Sequence, residues 1–194
     1  MKTKTRSSIR ALCECGLMIA VGTVLAQIKI FEMPYGGSVT LVSMLPFILV
    51  SFRHGIGWGL TTGFVNSLLQ MLLGFYAPPA GTFLAFVGVV LLDYVLAFTL
   101  LGLAQWFASL FKNRLVGVGV GCAAVCVIRF LCSFLSGALL WGSYQESYAW
   151  AQGMSVWLYS LIYNGSYMLP EMILTTLAAV LLYKAAPAFF TPQK

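Results

Sequence analysis

The chain has 194 residues, of which 60% are hydrophobic and only 8% charged, with a mean hydropathy of +0.92. A soluble domain carries about 25% charged residues, so the composition excludes a soluble globular protein and points to one bundle in a bilayer. The net charge of +6 resides in scattered basic residues rather than in a basic helix or arm, which argues against nucleic acid as a partner and makes those residues topology signals.

A spanning helix needs about 20 mostly apolar residues. Segments of that kind are predicted at 9–28, 39–52, 55–74, 82–108, 115–140 and 154–184. Strands of alternating polarity are absent, so helices rather than a barrel are expected. The fold class is therefore an all-α integral membrane protein of six transmembrane helices in a single domain, residues 1–194. In the first segment Gly16 and Ala20, and likewise Gly22 and Ala26, lie four apart. Such spacing lets another helix approach closely, either within the bundle or from a partner. The same segment has a second reading. Basic residues from Lys2 to Arg10, then an apolar run to Val24-Leu25-Ala26, resemble a signal peptide, whose removal would leave five spans. The second segment is short and contains Pro46, which suggests tilt, local thinning or an incomplete span. Before it, Gly36 and Gly37 permit a tight turn or close approach of backbone to a ligand, and Ser38 is placed to cap the helix.

Orientation follows from the basic residues. With the N-terminus cytoplasmic, the inner side holds Lys2, Lys4, Arg6, Arg10, Arg53, Lys112, Arg114, Lys184 and Lys194, and the outer loops hold only Lys29. Both termini are then cytoplasmic. The outer loops, 29–38, 75–81 and 141–153, are rich in Gly, Pro, Tyr and Trp. The cysteines Cys13, Cys15, Cys122, Cys126 and Cys132 lie in apolar segments without a nearby histidine. They read as small buried hydrophobes rather than metal ligands or a disulfide framework. The halves show no repeat of the kind common in secondary transporters, and no phosphate-binding glycine loop is present.

Three ionisable residues fall well inside predicted spans: Asp93, Arg129 and Glu171. Each costs several kcal/mol unless it is paired or faces a cavity. Arg129 and Glu171 are at depths that allow them to pair between adjacent helices, which leaves Asp93 without a cation. In the last span, Tyr159, Tyr163, Tyr167, Ser160, Glu171 and Asn164 fall within an arc of roughly 140° at about 100° per residue. This polar, aromatic face belongs in the bundle interior, and Pro170 is expected to bend the helix. On the fifth span Arg129, Ser133, Ser136 and Gly137 share a face, with Trp141 at the outer end as either an interfacial anchor or a stacking platform. A carboxylate among aromatic rings suits a small, flat, cationic ligand with hydrogen-bonding groups.

These residues carry a resemblance. The ordered stretches "MPYGGSVTLVSMLP", "FILVSFRHG", "LLDYVLAF" and "VWLYSLIYNGSYMLP" resemble the thiamine-specific substrate-binding (S) component of energy-coupling factor (ECF) transporters, the ThiT/YuaJ family, from about Glu14 to Lys184. The resemblance implies a six-helix protein of the bacterial plasma membrane that binds thiamine near the outer face. It also implies partners: a membrane coupling subunit and two ATPases that drive uptake. By that resemblance Asp93 hydrogen-bonds the aminopyrimidine, Tyr94 lies beside it, Trp141 stacks on the ligand, and Tyr159 and Asn164 orient it. The loop from Tyr35 to Ser38 closes over the pocket, and Gly16 and Ala20 contact the coupling subunit. Ser133 stands where members have a histidine, Gly37 where some have a tryptophan, and Glu171 where others are neutral.

The candidate ligand-binding set is thus Asp93, Tyr94, Trp141, Tyr159, Asn164, Gly37, Ser133, Tyr163, Arg129 and Glu171. No catalytic or metal-binding constellation is expected: the single histidine, His54, lies in a predicted cytoplasmic loop. The function expected is a non-enzymatic vitamin-binding component without a cofactor. The rivals are an S component for another vitamin or a thiamine precursor, and a proton-coupled carrier using Asp93, Arg129 and Glu171 as a relay.

Overall fold

The computed structural model describes residues 2–34 and 36–192, with side chains from Ser8 onward. Helix α1 (Lys2–Gln27) leads into a hairpin of β1 (Lys29–Glu32) and β2 (Ser38–Thr40). Helices α2 (Leu45–His54), α3 (Ile56–Leu73), α4 (Phe83–Ser109), α5 (Arg114–Leu139) and α6 (Val156–Ala185) follow. Short 3-10 turns occupy Gly142–Ser147, Ala149–Ala151 and Pro187–Phe190. Among the described residues four helices are long and apolar enough to cross a membrane: Ser8–Gln27 of α1, then α4, α5 and α6. Helix α3 is continuous, but Thr61, Thr62, Asn66 and Gln70 break its apolar run, and α2 is too short.

The segment expected as a helix over 39–52 divides in two. Gly36 and Gly37 have φ of 98° and 91°, a left-handed backbone that glycine adopts readily. They turn the chain back so that Met33 N–H donates to the Gly37 carbonyl at 2.9 Å and Ser38 enters β2, antiparallel to β1. Ser38 is therefore a strand residue and caps no helix. The fold is all-helical as expected, with one small hairpin between α1 and α2. Helix α2 begins only at Leu45, with Pro46 in its first turn, where a missing N–H removes no helical bond. At about 1.5 Å per residue it is about 15 Å long, half the hydrocarbon thickness. It is also buried throughout Leu45–Phe52, so it is an interior post rather than a lipid-facing span.

The core forms around that post. Phe47, Ile48 and Phe52 pack with Leu101 of α4, Val118, Cys122 and Val125 of α5, Ala179 of α6, and Phe190. Cys15, Cys122, Cys126 and Cys132 are buried, whereas Cys13 is exposed. In α1, Gly22 lies against the Phe47 ring while Gly16 and Ala20 are exposed, so the two small-residue pairs serve different faces. At the α2–α3 junction Arg53 Nε donates to Glu14 Oε2 at 2.8 Å, and His54 Nε2 lies 2.8 Å from the same oxygen, tying α1 to α2.

Helix α4 is irregular where it matters. It widens into a π-helical turn over Val90–Leu96 and tightens into a 3-10 turn over Leu100–Leu103. A π turn inserts a residue into the helical ladder and redirects side chains, and such turns concentrate at functional sites. Asp93 and Tyr94 sit within it. Helix α6 runs without interruption through Pro170.

Candidate functional site

A cavity of about 220 Å³ opens among α3, α4, α5, α6 and the hairpin turn. Nine sequence-predicted residues line it: Gly37, Asp93, Tyr94, Arg129, Ser133, Trp141, Tyr159, Tyr163 and Asn164. Tyr35 lies outside the described residues. Gly36, expected beside Gly37 in the covering loop, lines it too, and Gln70, Tyr76, Phe98, Tyr144 and Tyr167 join the lining without having been singled out as ligand residues. Tyr167 was legible from its place on the α6 face. Gln70 is a polar residue in an apolar helix, a weaker version of the signal that identified Asp93.

The π turn of α4 delivers Asp93 to the wall. Ser136 Oγ donates to Asp93 Oδ2 at 2.6 Å, and the Trp141 indole N–H donates to the same oxygen at 3.1 Å. Asp93 is thus satisfied on one oxygen by neutral donors from α5 and from the turn that follows it. Trp141 has a double role, since its ring lines the cavity while its N–H fixes the carboxylate. Tyr94 serves a neighbouring purpose. Its hydroxyl donates to the Gly74 carbonyl at 3.1 Å and accepts from Tyr76 N–H at 3.0 Å, which pins the α3–α4 connection to the rim.

The α6 face supplies an aromatic wall. Tyr159 and Tyr163 have ring centroids 5.6 Å apart, Tyr163 and Tyr167 6.4 Å, and Trp150 lies 5.7 Å from Tyr159. Asn164 is held along α6 itself: its Nδ2 donates to the Ser160 carbonyl at 3.0 Å, and its Oδ1 accepts from the Tyr167 hydroxyl at 2.7 Å. One lone pair of that Oδ1 remains for a ligand. Gly137 is required by this packing, because a Cβ there would meet Ser160 Oγ and Asn164 Nδ2. Ser133 and Tyr167 line the same cavity.

The expected pairing of Arg129 with Glu171 is corrected. No ion pair joins them among the described residues. The Arg129 guanidinium lies 4.3 Å over the Phe98 ring in the cavity wall, a cation–π contact. Glu171 is buried away from the cavity and absent from its lining. Its Oε2 accepts from Thr40 N–H at 2.6 Å and its Oε1 from Thr40 Oγ1 at 2.6 Å. This carboxylate therefore anchors the returning strand of the hairpin to α6 instead of binding a ligand.

Two turns earlier on α6, the Tyr163 hydroxyl donates to the Gly36 carbonyl at 3.0 Å, and the Tyr167 ring packs on Gly37. Helix α6 thus grips the hairpin at both its base and its tip, and the tip forms part of the cavity roof. Chemically, the cavity offers one carboxylate acceptor, the Arg129 guanidinium in its wall, amide and hydroxyl groups, and several aromatic faces. Among the described residues no group of His, Cys, Asp and Glu is arranged to hold a metal.

A family model described as "Thiamine transporter protein (Thia_YuaJ)" matches residues 12–191. A Bacillus subtilis (strain 168) protein named thiamine transporter ThiT is 33% identical over 194 residues, covering 94% of this chain and 95% of that protein. A second protein of that name, from Lacticaseibacillus paracasei, is 28% identical, covering 86% of this chain and 80% of its own length. The solved structure of ThiT from Listeria monocytogenes superposes with a TM-score of 0.77 at 23% identity, covering 95% of this chain and 99% of that chain. That likeness concerns the fold.

Proposed function

The chain belongs to the thiamine transporter (Thia_YuaJ) family, and from that premise we propose that it is the thiamine-binding S component of an ECF-type importer. The observation that carries this reading is the cavity itself. It sets a carboxylate that makes no salt bridge among the described residues within a ring of aromatic side chains, with the Arg129 guanidinium held over Phe98 in the same wall, and this suits a cationic ligand with one amine-bearing flat ring. Asp93 accepts from the exocyclic amine of the aminopyrimidine through its cavity-facing oxygen. Trp141 and Tyr159 flank the rings, whose positive charge is attracted to aromatic faces by up to about 2 kcal/mol each when desolvated. The free lone pair of Asn164 Oδ1 accepts from the same ring edge. Ser133 contributes a hydroxyl, and the hairpin tip at Gly36 and Gly37 closes the roof.

In this reading α1 to α6 are the six helices of an S component in a bacterial plasma membrane, with both termini cytoplasmic. The exposed Gly16 and Ala20 present a smooth stripe to a membrane coupling subunit, and Gly16 has no atom near enough to obstruct it. Two ATPase subunits supply the energy, and the chain itself is not an enzyme. The reading is tested by reconstitution. The lone protein in liposomes binds thiamine but accumulates none under an imposed pH gradient. Uptake driven by that gradient without ATPases would establish a proton-coupled carrier instead. A competition panel of riboflavin, biotin and thiamine discriminates the vitamin, with only thiamine displacing a bound thiamine probe.

A further inference from the structure

Serines inside helices usually satisfy their hydroxyl on a carbonyl one turn back. In this chain Ser51, Ser67, Ser109 and Ser166 do so, on the carbonyls of Ile48, Phe64, Trp106 and Tyr163. Ser136 does not. It is fully buried, and its hydroxyl reaches across from α5 to Asp93 Oδ2 at 2.6 Å. The Trp141 N–H reaches the same oxygen at 3.1 Å. One carboxylate oxygen thus receives two donors, which fills its lone pairs, while Oδ1 receives none from any described residue.

We propose that Ser136 is a specificity-determining positioning residue, which fixes the Asp93 carboxylate so that Oδ1 alone faces the ligand. This rests on the thiamine-binding reading above. A carboxylate free to rotate can accept two parallel N–H groups and favours amidine-like edges. A carboxylate with Oδ2 occupied accepts one. The site then selects a ring edge with a single amine donor beside ring nitrogens, as a 4-aminopyrimidine presents. Ser136 never touches the ligand in this arrangement; it acts through Asp93. Its contribution should therefore appear only with ligands that use Oδ1.

The experiment compares Ser136→Ala with the wild-type protein on two probes. These are thiamine and an analogue whose pyrimidine amine is replaced by hydrogen. Affinities come from calorimetric titration in detergent, and thermal unfolding of both proteins verifies an intact fold. The expected result is a loss of about tenfold or more for thiamine in Ser136→Ala, the scale of one hydrogen bond to a charged group. The analogue, weak in both proteins, is unchanged by the substitution. An unaltered thiamine affinity, or an equal loss for both probes, would overturn the proposal while leaving thiamine as the ligand. Failure of the wild-type protein to bind thiamine would remove the functional reading and this proposal with it.

Discussion

Replacing Asp93 with Asn probes the anchor of the site with almost no change in volume. Ser136 Oγ and the Trp141 N–H both donate to one oxygen of Asp93. In the variant the amide oxygen must take that place, because the amide nitrogen accepts nothing. The NH2 group then faces the cavity, so an acceptor becomes a donor opposite the ligand's own amine. The lost hydrogen bond to a charged group is worth about 1.5–3 kcal/mol, and leaving two donors unsatisfied adds about 1–3 kcal/mol. A combined loss of about 2.5–6 kcal/mol corresponds to roughly two to four orders of magnitude in affinity. Packing against Ser136 and Trp141 is kept, so the thermal midpoint of the ligand-free protein should hold or rise. Quenching of tryptophan fluorescence by thiamine, in which Trp141 reports from the cavity wall, measures the affinity. Binding within about threefold of wild type would refute the assignment of Asp93 as the anchor.

Glu171→Gln leaves one of the two Thr40 donors without its acceptor, at a cost of about 1.5–3 kcal/mol. The expected outcome is a ligand-free midpoint several degrees lower, together with faster thiamine release as the hairpin base loosens; a variant matching wild type in both would show that the buried carboxylate holds nothing in place. Tyr163→Phe deletes the bond to the Gly36 carbonyl, worth about 0.5–1.5 kcal/mol. Stopped-flow displacement should show dissociation about three- to tenfold faster with little change in association, and an unchanged release rate would separate Tyr163 from closure of the roof.

The sequence made the site more legible than the details of the fold that supports it. Asp93 stood out because a carboxylate in an apolar run is expensive, and the α6 face stood out because helical geometry groups its tyrosines with Asn164. Both signals are local and periodic, and the cavity lining contains those residues. The hairpin was hidden because β1 and β2 are only four and three residues long, and the apolar run after Gly37 reads equally as helix. Glu171 was misassigned because its partner, Thr40, lies 131 residues away. Nothing in a single sequence favours Thr40 over Arg129, which instead covers Phe98. The π turn at Val90–Leu96 was equally silent: its residues form an apolar run that reads as ordinary helix, and the turn packs against both α3 and α5, contacts that one sequence does not reveal. Ser136 was visible as a polar residue on the right face, but its direction toward Asp93 depends on that same turn.

The central claim is that the cavity walled by Asp93, Trp141 and the α6 tyrosines is a thiamine site. Calorimetric titration of the purified wild-type protein with thiamine, in detergent and without any partner subunit, tests it most directly. The account predicts saturable one-to-one binding at or below micromolar thiamine, weakened at least about a hundredfold by Asp93→Asn. A folded protein that gives no binding heat and no thermal shift at micromolar thiamine would contradict it.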